Sequence, residues 1–238
     1  MAYSNATIVK VIGNLNNAIN YYSRKSEDEI KICISCGNKK IGRVKNVSLA
    51  PIITCTNCKE CKHFCYDIKA VLLYGNVLDA RARNTVLALQ HPEKYFGKIR
   101  KSLNKHCKHK FFRWHVSGDI PSMEYFEEMI AIAKENPDWL FWTYTKNYYL
   151  VNAYVKAHGN SKENAIPENL IIMFSEWDGL EMVNPYQFPI FSCKLKDGNK
   201  NRTEKSFEQM YKCPGNCDVC KEIHRGCIKG EDTYADEH

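Results

Sequence analysis

From residue 110 onward one rhythm recurs, a short apolar strand, a polar exit and then a helix, and it restricts the fold more than any other feature. "KFFRWHVS" (110–117) is aromatic and β-branched and reads as a buried strand ending at Gly118-Asp119. Ser122 is placed to cap the next helix, whose apolar stripe is Phe126, Met129, Ile130 and Ala133. Glu124, Glu127 and Glu128 near its positive end and Lys134 near its negative end suit the macrodipole, and Asn136-Pro137 stops it. "DWLFWTYTKN", "YYLVNAYVKAHG" and "ENLIIMFSEWDG" continue as strand, helix and strand, and "QFPIFSCKLK" reads as a further strand. Such alternation predicts βαβ units on a mostly parallel sheet. The expected fold class is therefore α/β, a partial (β/α) barrel-like parallel sheet carrying cysteine-rich metal-binding loops.

The first half is less regular. "ATIVKVI" and "IGRVKNVSLAPII" lean towards β structure. Ile68, Val71, Leu72, Gly75, Leu78, Ala82, Val86 and Leu89 fall on one stripe of a long helix, which Gly75 weakens locally. Pro92 fits the first turn of another, "PEKYFGKIRKSLNKH". With neither repeats nor low-complexity segments, residues 1–238 are expected to form a single domain, with a core over about 37–195 and a cysteine-rich extension over about 205–230.

In a parallel sheet, ligands bind at the carboxyl ends of the strands. Three successive predicted strands end in polar residues: Ser117, Gly118 and Asp119; Thr143, Thr145, Lys146 and Asn147; Ser175, Glu176 and Asp178. Loops are polar everywhere, which accounts for part of this. Trp114, Trp142 and Trp177 beside those groups suit a pocket that stacks a flat ligand. The candidate catalytic residues are Asp119, placed to bind a cationic group, Lys146 for an anionic one, Glu176, and His115 as a proton shuttle. A buried strand histidine is as often structural.

The second strong signal is sulfur. Cys55, Cys58, Cys61 and Cys65 follow C-x2-C-x2-C-x3-C, the spacing of ferredoxin cluster loops, although Tyr66 stands where those loops carry proline. Cys33 and Cys36 with Cys55 and Cys58 equally give a C-x2-C-x18-C-x2-C zinc-ribbon spacing. Cys213, Cys217, Cys220 and Cys227 make a second set of four, with His224 as a substitute ligand. A 4Fe-4S cluster or zinc suits either set. Cys107 and Cys193 stand alone and read as packed thiols. Disulfides are the third use of clustered cysteines but are rare in a reducing compartment. The N-terminal stretch shows no signal-peptide pattern and no run approaches the roughly twenty apolar residues of a membrane span, so a cytoplasmic protein without membrane association is expected. The formal charge of +7 and the basic run "GKIRKSLNKHCKHKFFR" make a nucleic-acid or nucleotide partner plausible on charge, a solvated helix face being the plainer reading.

"GNKKIGRVKNVSLAPIITC", "CKHFCYDIKA", "ARARN" and "FRWHVSGDIPSMEYFEEMIAIAKENPDWLFWTYTKN" together resemble the phage-encoded gene-product-eighty-eight-like family over about residues 37–180. The resemblance implies a phage or prophage origin, hence host cytoplasm, and its thiols fall on Cys55, Cys61 and Cys65. More distantly, "HVSGDIPSMEYFEEMIAIAKE" is similar to the second strand–loop–helix of radical S-adenosylmethionine enzymes. That likeness implies cofactor contacts at Ser117, Gly118 and Asp119. Cys61-x3-Cys65-Tyr66 resembles part of that superfamily's cluster loop, with Ile68 where the third cysteine belongs. The expected function is a phage-type iron–sulfur enzyme acting on a nucleotide or nucleic acid, S-adenosylmethionine being a further cofactor the likeness implies. The alternative is a zinc-stabilised accessory protein that binds nucleic acid or a host protein without catalysis. Oligomeric state leaves no trace in the sequence.

Overall fold

A computed structural model describes residues 2–39, 41–103, 108–195 and 206–236. Cys107, the centre of the basic run and the end of the strand expected at 187–196 lie outside them. The strands are β1 (Lys45–Asn46), β2 (Phe111–Arg113), β3 (Leu140–Thr145), β4 (Leu170–Ser175), β5 (Ile190–Lys194), β6 (Tyr211–Lys212) and β7 (Thr233–Asp236). They form one seven-stranded sheet in the order β1-β2-β3-β4-β5-β7-β6, and every pairing is parallel. The result is an α/β fold with the sheet curled into a half-barrel.

The helices are α1 (Asn5–Tyr22), α2 (Asp67–Leu73), α3 (Gly75–Gln90), α4 (Pro92–Ser102), α5 (Met123–Glu135), α6 (Tyr148–Ala157), α7 (Lys162–Ala165) and α8 (Cys217–Ile223). Alternation along the strands separates two faces. Phe112, Trp114, Phe141, Ile172 and Phe174 point outward and join Val86, Tyr95, Phe96, Ile99, Tyr125, Phe126, Val151 and Val155 of α3–α6 in the main core. The opposite, inner face carries Trp142, Met173, Ile171, Tyr144 and Phe191, and Cys217, Cys220, Cys227 and Ile228 of the C-terminal segment pack on it. A third cluster joins Ile8, Val11 and Leu15 of α1 to Ile68 and Val71 of α2. No helix among the described residues is long and apolar enough to cross a membrane.

Several local expectations are corrected. "ATIVKVI" is not extended but the start of α1, because the Ser4 hydroxyl caps the helix by accepting from Thr7 N at 3.2 Å and Ile8, Val11 and Leu15 recur at helical spacing. The long helix expected over 68–89 is two helices, broken at Tyr74, whose extended backbone (φ −125°, ψ 105°) ends α2 and begins α3. "KFFRWHVS" gives only three strand residues, because His115 turns to φ +50° and the chain bends out of the ladder. The C-terminal cysteine segment is the crossover between β6 and β7, two strands that sequence reasoning missed.

α1 is held by its buried stripe, so Leu15→Ala is expected to cost about 2–5 kcal/mol of stability in urea denaturation. Val9→Ala, on the exposed face of the same helix, is expected to stay within about 0.5 kcal/mol.

Candidate functional site at the mouth of the sheet

The exits of β2, β3 and β4 lie side by side. Asp119, buried just beyond β2, accepts the Ile120 N–H at Oδ1 (2.7 Å) and the Lys146 N–H at Oδ2 (2.9 Å), tying the exit of β2 to that of β3. Burial raises its pKa, while the Thr145 hydroxyl, those two N–H groups and the Lys146 charge oppose the rise. The Lys146 amine donates to Ser175 Oγ at 2.8 Å, reaching the exit of β4, and lies 5.8 Å from the Trp177 ring centre. Glu176, also buried, anchors its backbone N–H on Phe191 O at 2.9 Å. The Tyr148 hydroxyl donates to Ser175 O, and its pKa is raised by burial first and then by Asp119, Glu176 and Cys61. Asp119, Lys146 and Glu176 therefore share one neighbourhood.

Gly118 is required between them. Its φ is +83°, and an added Cβ would stand 2.7 Å from Thr54 Oγ1 and 2.8 Å from Leu49 Cβ. Ser117 is buried beside it, with a hydroxyl that has no hydrogen-bond partner among the described residues. His115 lies apart from these groups. Its ring packs against Trp114 and Tyr125 in the layer under α5, with Nδ1 3.1 Å from Thr143 Oγ1. Burial, aided by the Arg113 charge, pushes its pKa down to about 3, so it is neutral throughout the range in which a general acid or base titrates usefully.

The cysteine loop reaches this mouth because the chain after β1 runs on beside the exit of β2, with Val116 N donating to Val47 O and Leu49 N to Ser117 O. It then turns through Cys55 into a 3-10 helix at Glu60–Phe64, and Phe64 packs on Trp177 at 5.5 Å between ring centres. Cys55, Cys58, Cys61 and Cys65 are brought together. The Cys58 thiol hydrogen-bonds Cys55 and Cys61, its Sγ 3.8 Å from that of Cys61, and Cys65 feels both Cys55 and Cys61. The Cys61 thiol is lowered to about 7, first by the Cys58 hydrogen bond and, against burial, by Lys146. Asp119 acts on it in the opposite sense, so Cys61 is the thiol that joins the sulfur loop to the strand exits. Burial pushes Cys65 up to about 12. Cys33 is held elsewhere, its backbone N–H and C=O both bonded to the Asn84 side chain, and Cys36 is exposed.

The second set, Cys213, Cys217, Cys220 and Cys227, sits under the mouth on the inner face. Cys217, Cys220 and Cys227 each feel Cys213, and Cys227 hydrogen-bonds Tyr144 and Thr233. Burial pushes Cys227 up to about 12. Neither set is already closed: among the described residues no three His, Cys, Asp or Glu side chains converge as the ligands of a single metal ion. Cys193 is half-buried on β5.

Sequence reasoning passed over Arg113, the last residue of β2. It points to the inner face, its guanidinium carbon 4.7 Å from the Tyr144 ring centre and its Nε sealed from solvent without a hydrogen-bond partner. An arginine two residues before the His-Val-Ser-Gly-Asp exit was the available signal.

Fold and site define a class: an open parallel α/β half-barrel with two groups of four thiols, one at the strand exits and one against the inner face. The sequence profile of the phage family described as Gene product 88 matches residues 18–182, and the chain belongs to that family. The match takes in the first cysteine set, Arg113, Asp119, Lys146 and Glu176 and stops before the second set. Neither the curated proteins nor the solved structures yield a match to the chain.

Gly118→Ala is expected to destabilise the protein by more than about 2 kcal/mol in chemical denaturation, through strain and overpacking. Lys146→Met removes the cation that favours the Cys61 thiolate. The midpoint of Cys61 alkylation against pH in chelator-treated protein should therefore rise from about 7 towards that of an ordinary thiol.

Proposed function

We propose that this chain is an iron–sulfur enzyme whose cluster is held by Cys55, Cys58, Cys61 and Cys65, and that it acts on a nucleotide or nucleic acid at the mouth of the sheet. The observation that carries the reading is the position of Cys61, whose electrostatic partners are Lys146 and Asp119 at two adjacent strand exits. A donor set made only of thiols on a short loop is the chemistry of iron–sulfur ligation. When bound, the cluster would supply electron transfer or Lewis acidity. Asp119 would orient a cationic group of substrate or cofactor through the oxygen lone pairs that Ile120 N and Lys146 N leave unused, and Lys146 would meet a negative one. Phe64 and Trp177 would keep bulk water from that side. S-adenosylmethionine, the cofactor implied by the likeness to radical enzymes, would place its amino group against Ser117 and Asp119. The partnerless, buried Ser117 hydroxyl supports a polar ligand there. His115, in the layer under α5, is assigned a structural role.

One distance favours a second reading. A tetrahedral zinc with Zn–S bonds of about 2.3 Å has sulfur–sulfur edges of about 3.8 Å, and Cys58 and Cys61 are 3.8 Å apart. On that reading the metal serves folding and the protein binds nucleic acid or a host protein, with an affinity that falls steeply with salt.

Metal and acid-labile sulfide analysis of protein purified without oxygen separates the two. The expected preparation is brown, with absorbance near ~400 nm and iron with matching sulfide. Cys61→Ser should lower the iron content while Cys36→Ser leaves it unchanged. Colourless protein with stoichiometric zinc would favour the second reading, and protein with neither metal would remove both.

A further inference from the structure

The inner face just below the mouth carries a cation that the protein itself does not neutralise. Arginine–carboxylate pairs among the described residues are Arg81–Asp67, Arg100 with Glu128 and Glu135, and Arg225–Glu231. Arg113 has none. The groups that act most strongly on it are Tyr144, Tyr66, Cys217 and Cys227, and no carboxylate forms an ion pair with it among the described residues. Tyr144 holds the guanidinium by a cation–π contact at 4.7 Å and itself packs edge-on against Phe191 at 4.8 Å. That contact satisfies the face of the guanidinium and none of its N–H donors. Nε–H, shut off from water, has no acceptor among the described residues.

A buried donor left unpaired marks strain, a functional role, or a water or ion that completes it. Strain has no support here, since β2 at Arg113 is regular and in register with Trp142 and Asn46. The neighbourhood is also open. Arg113, Tyr144 and Phe191 are only half-buried and Tyr66 is 51% exposed, which leaves the terminal guanidinium nitrogens, and not the sealed Nε, as the donors open to a ligand. A second cation, Lys146, stands two residues beyond Tyr144 on the same face of β3 and its extension, in a sheet whose parallel strands direct ligands to this end.

We propose that Arg113 is the oxyanion-binding residue of the mouth, receiving a phosphate or carboxylate of a small molecule on its planar fork, with Tyr144 fixing the plane of that fork. The inference rests on the mouth being the functional site, as proposed above, and is independent of which metal Cys55, Cys58, Cys61 and Cys65 hold. A fork held flat by stacking presents two parallel donors to a tetrahedral or planar oxyanion, which a lysine cannot do.

The test is isothermal titration of the metal-loaded, oxygen-free protein with adenosine 5′-monophosphate, inorganic phosphate, benzoate and adenosine, repeated on Arg113→Gln and Arg113→Lys. Metal content and melting temperature are measured on each sample. Binding of the phosphate-bearing probes but not adenosine assigns a phosphate site, and binding of benzoate alone assigns a carboxylate site. Either supports the proposal if Arg113→Gln weakens it by about ten- to a hundredfold and Arg113→Lys restores only part. Failure of all three anions to bind wild-type protein overturns it, as does equal binding to wild type and Arg113→Gln. The wild-type comparison of adenosine with its monophosphate needs no variant to fold. Iron-loaded protein that binds no anion would sink this inference and spare the iron–sulfur reading. Anion binding to a protein that holds zinc or no metal would do the reverse.

Discussion

The arrangement depends on the buried carboxylate of Asp119. By accepting one backbone N–H from its own loop and one from the exit of β3, it joins two strands beyond the point where their ladder ends. That junction sets the direction of Lys146, whose amine then bridges to Ser175 at the exit of β4 and lies within electrostatic reach of Cys61. A carboxylate in this position carries a desolvation cost that raises its pKa, and the N–H groups it receives offset part of that cost. The exits of β2 and β3 are thus held by one side chain and Lys146 carries the link to β4, next to a glycine that no other residue replaces without displacing Thr54 or Leu49.

Above and below this junction the two thiol sets meet different physics. The first lies beside cations and solvent, on a loop whose backbone winds into a 3-10 turn, and one of its thiols is lowered to about 7. The second packs among Trp142, Met173 and Ile228, where burial raises Cys217, Cys220 and Cys227. Thiolates are the ligating form; in the first set Cys61 is shifted towards that form while Cys58 and Cys65 are raised, as are Cys217, Cys220 and Cys227 of the second set.

What was legible beforehand follows from how local each signal is. The helix after Ser122, the strands at Leu140 and Leu170 and a mostly parallel sheet were readable, because capping, period and β-branched or aromatic composition coincide there. The polar exits were readable for the same reason: they end strong strand patterns. α1 was not, since "ATIVKVI" satisfies a strand propensity and a helical stripe at once and only the cap at Ser4 decides between them. β6 and β7 were not, because strands of two and four residues leave almost no periodic trace and owe their form to the neighbouring edge of the sheet. The grouping of Cys55 and Cys58 with Cys61 and Cys65, with Cys33 tied to Asn84, depends on a contact fifty-one residues apart in sequence. The solitude of Arg113 was invisible for a related reason, since a missing partner is a property of three dimensions.

β7 lies between β5 and β6 although the ribosome makes it after both. β6 therefore has no neighbour to pair with until β7 has slotted in, and the sulfur-bearing crossover that joins them stays unanchored until the same moment. Until then the rest of the sheet faces an unfilled trough, with Trp142 and Met173 uncovered. The covering of those side chains is then a late event, and interrupted translation would leave a sticky, half-lined vessel for chaperones or proteases to clear.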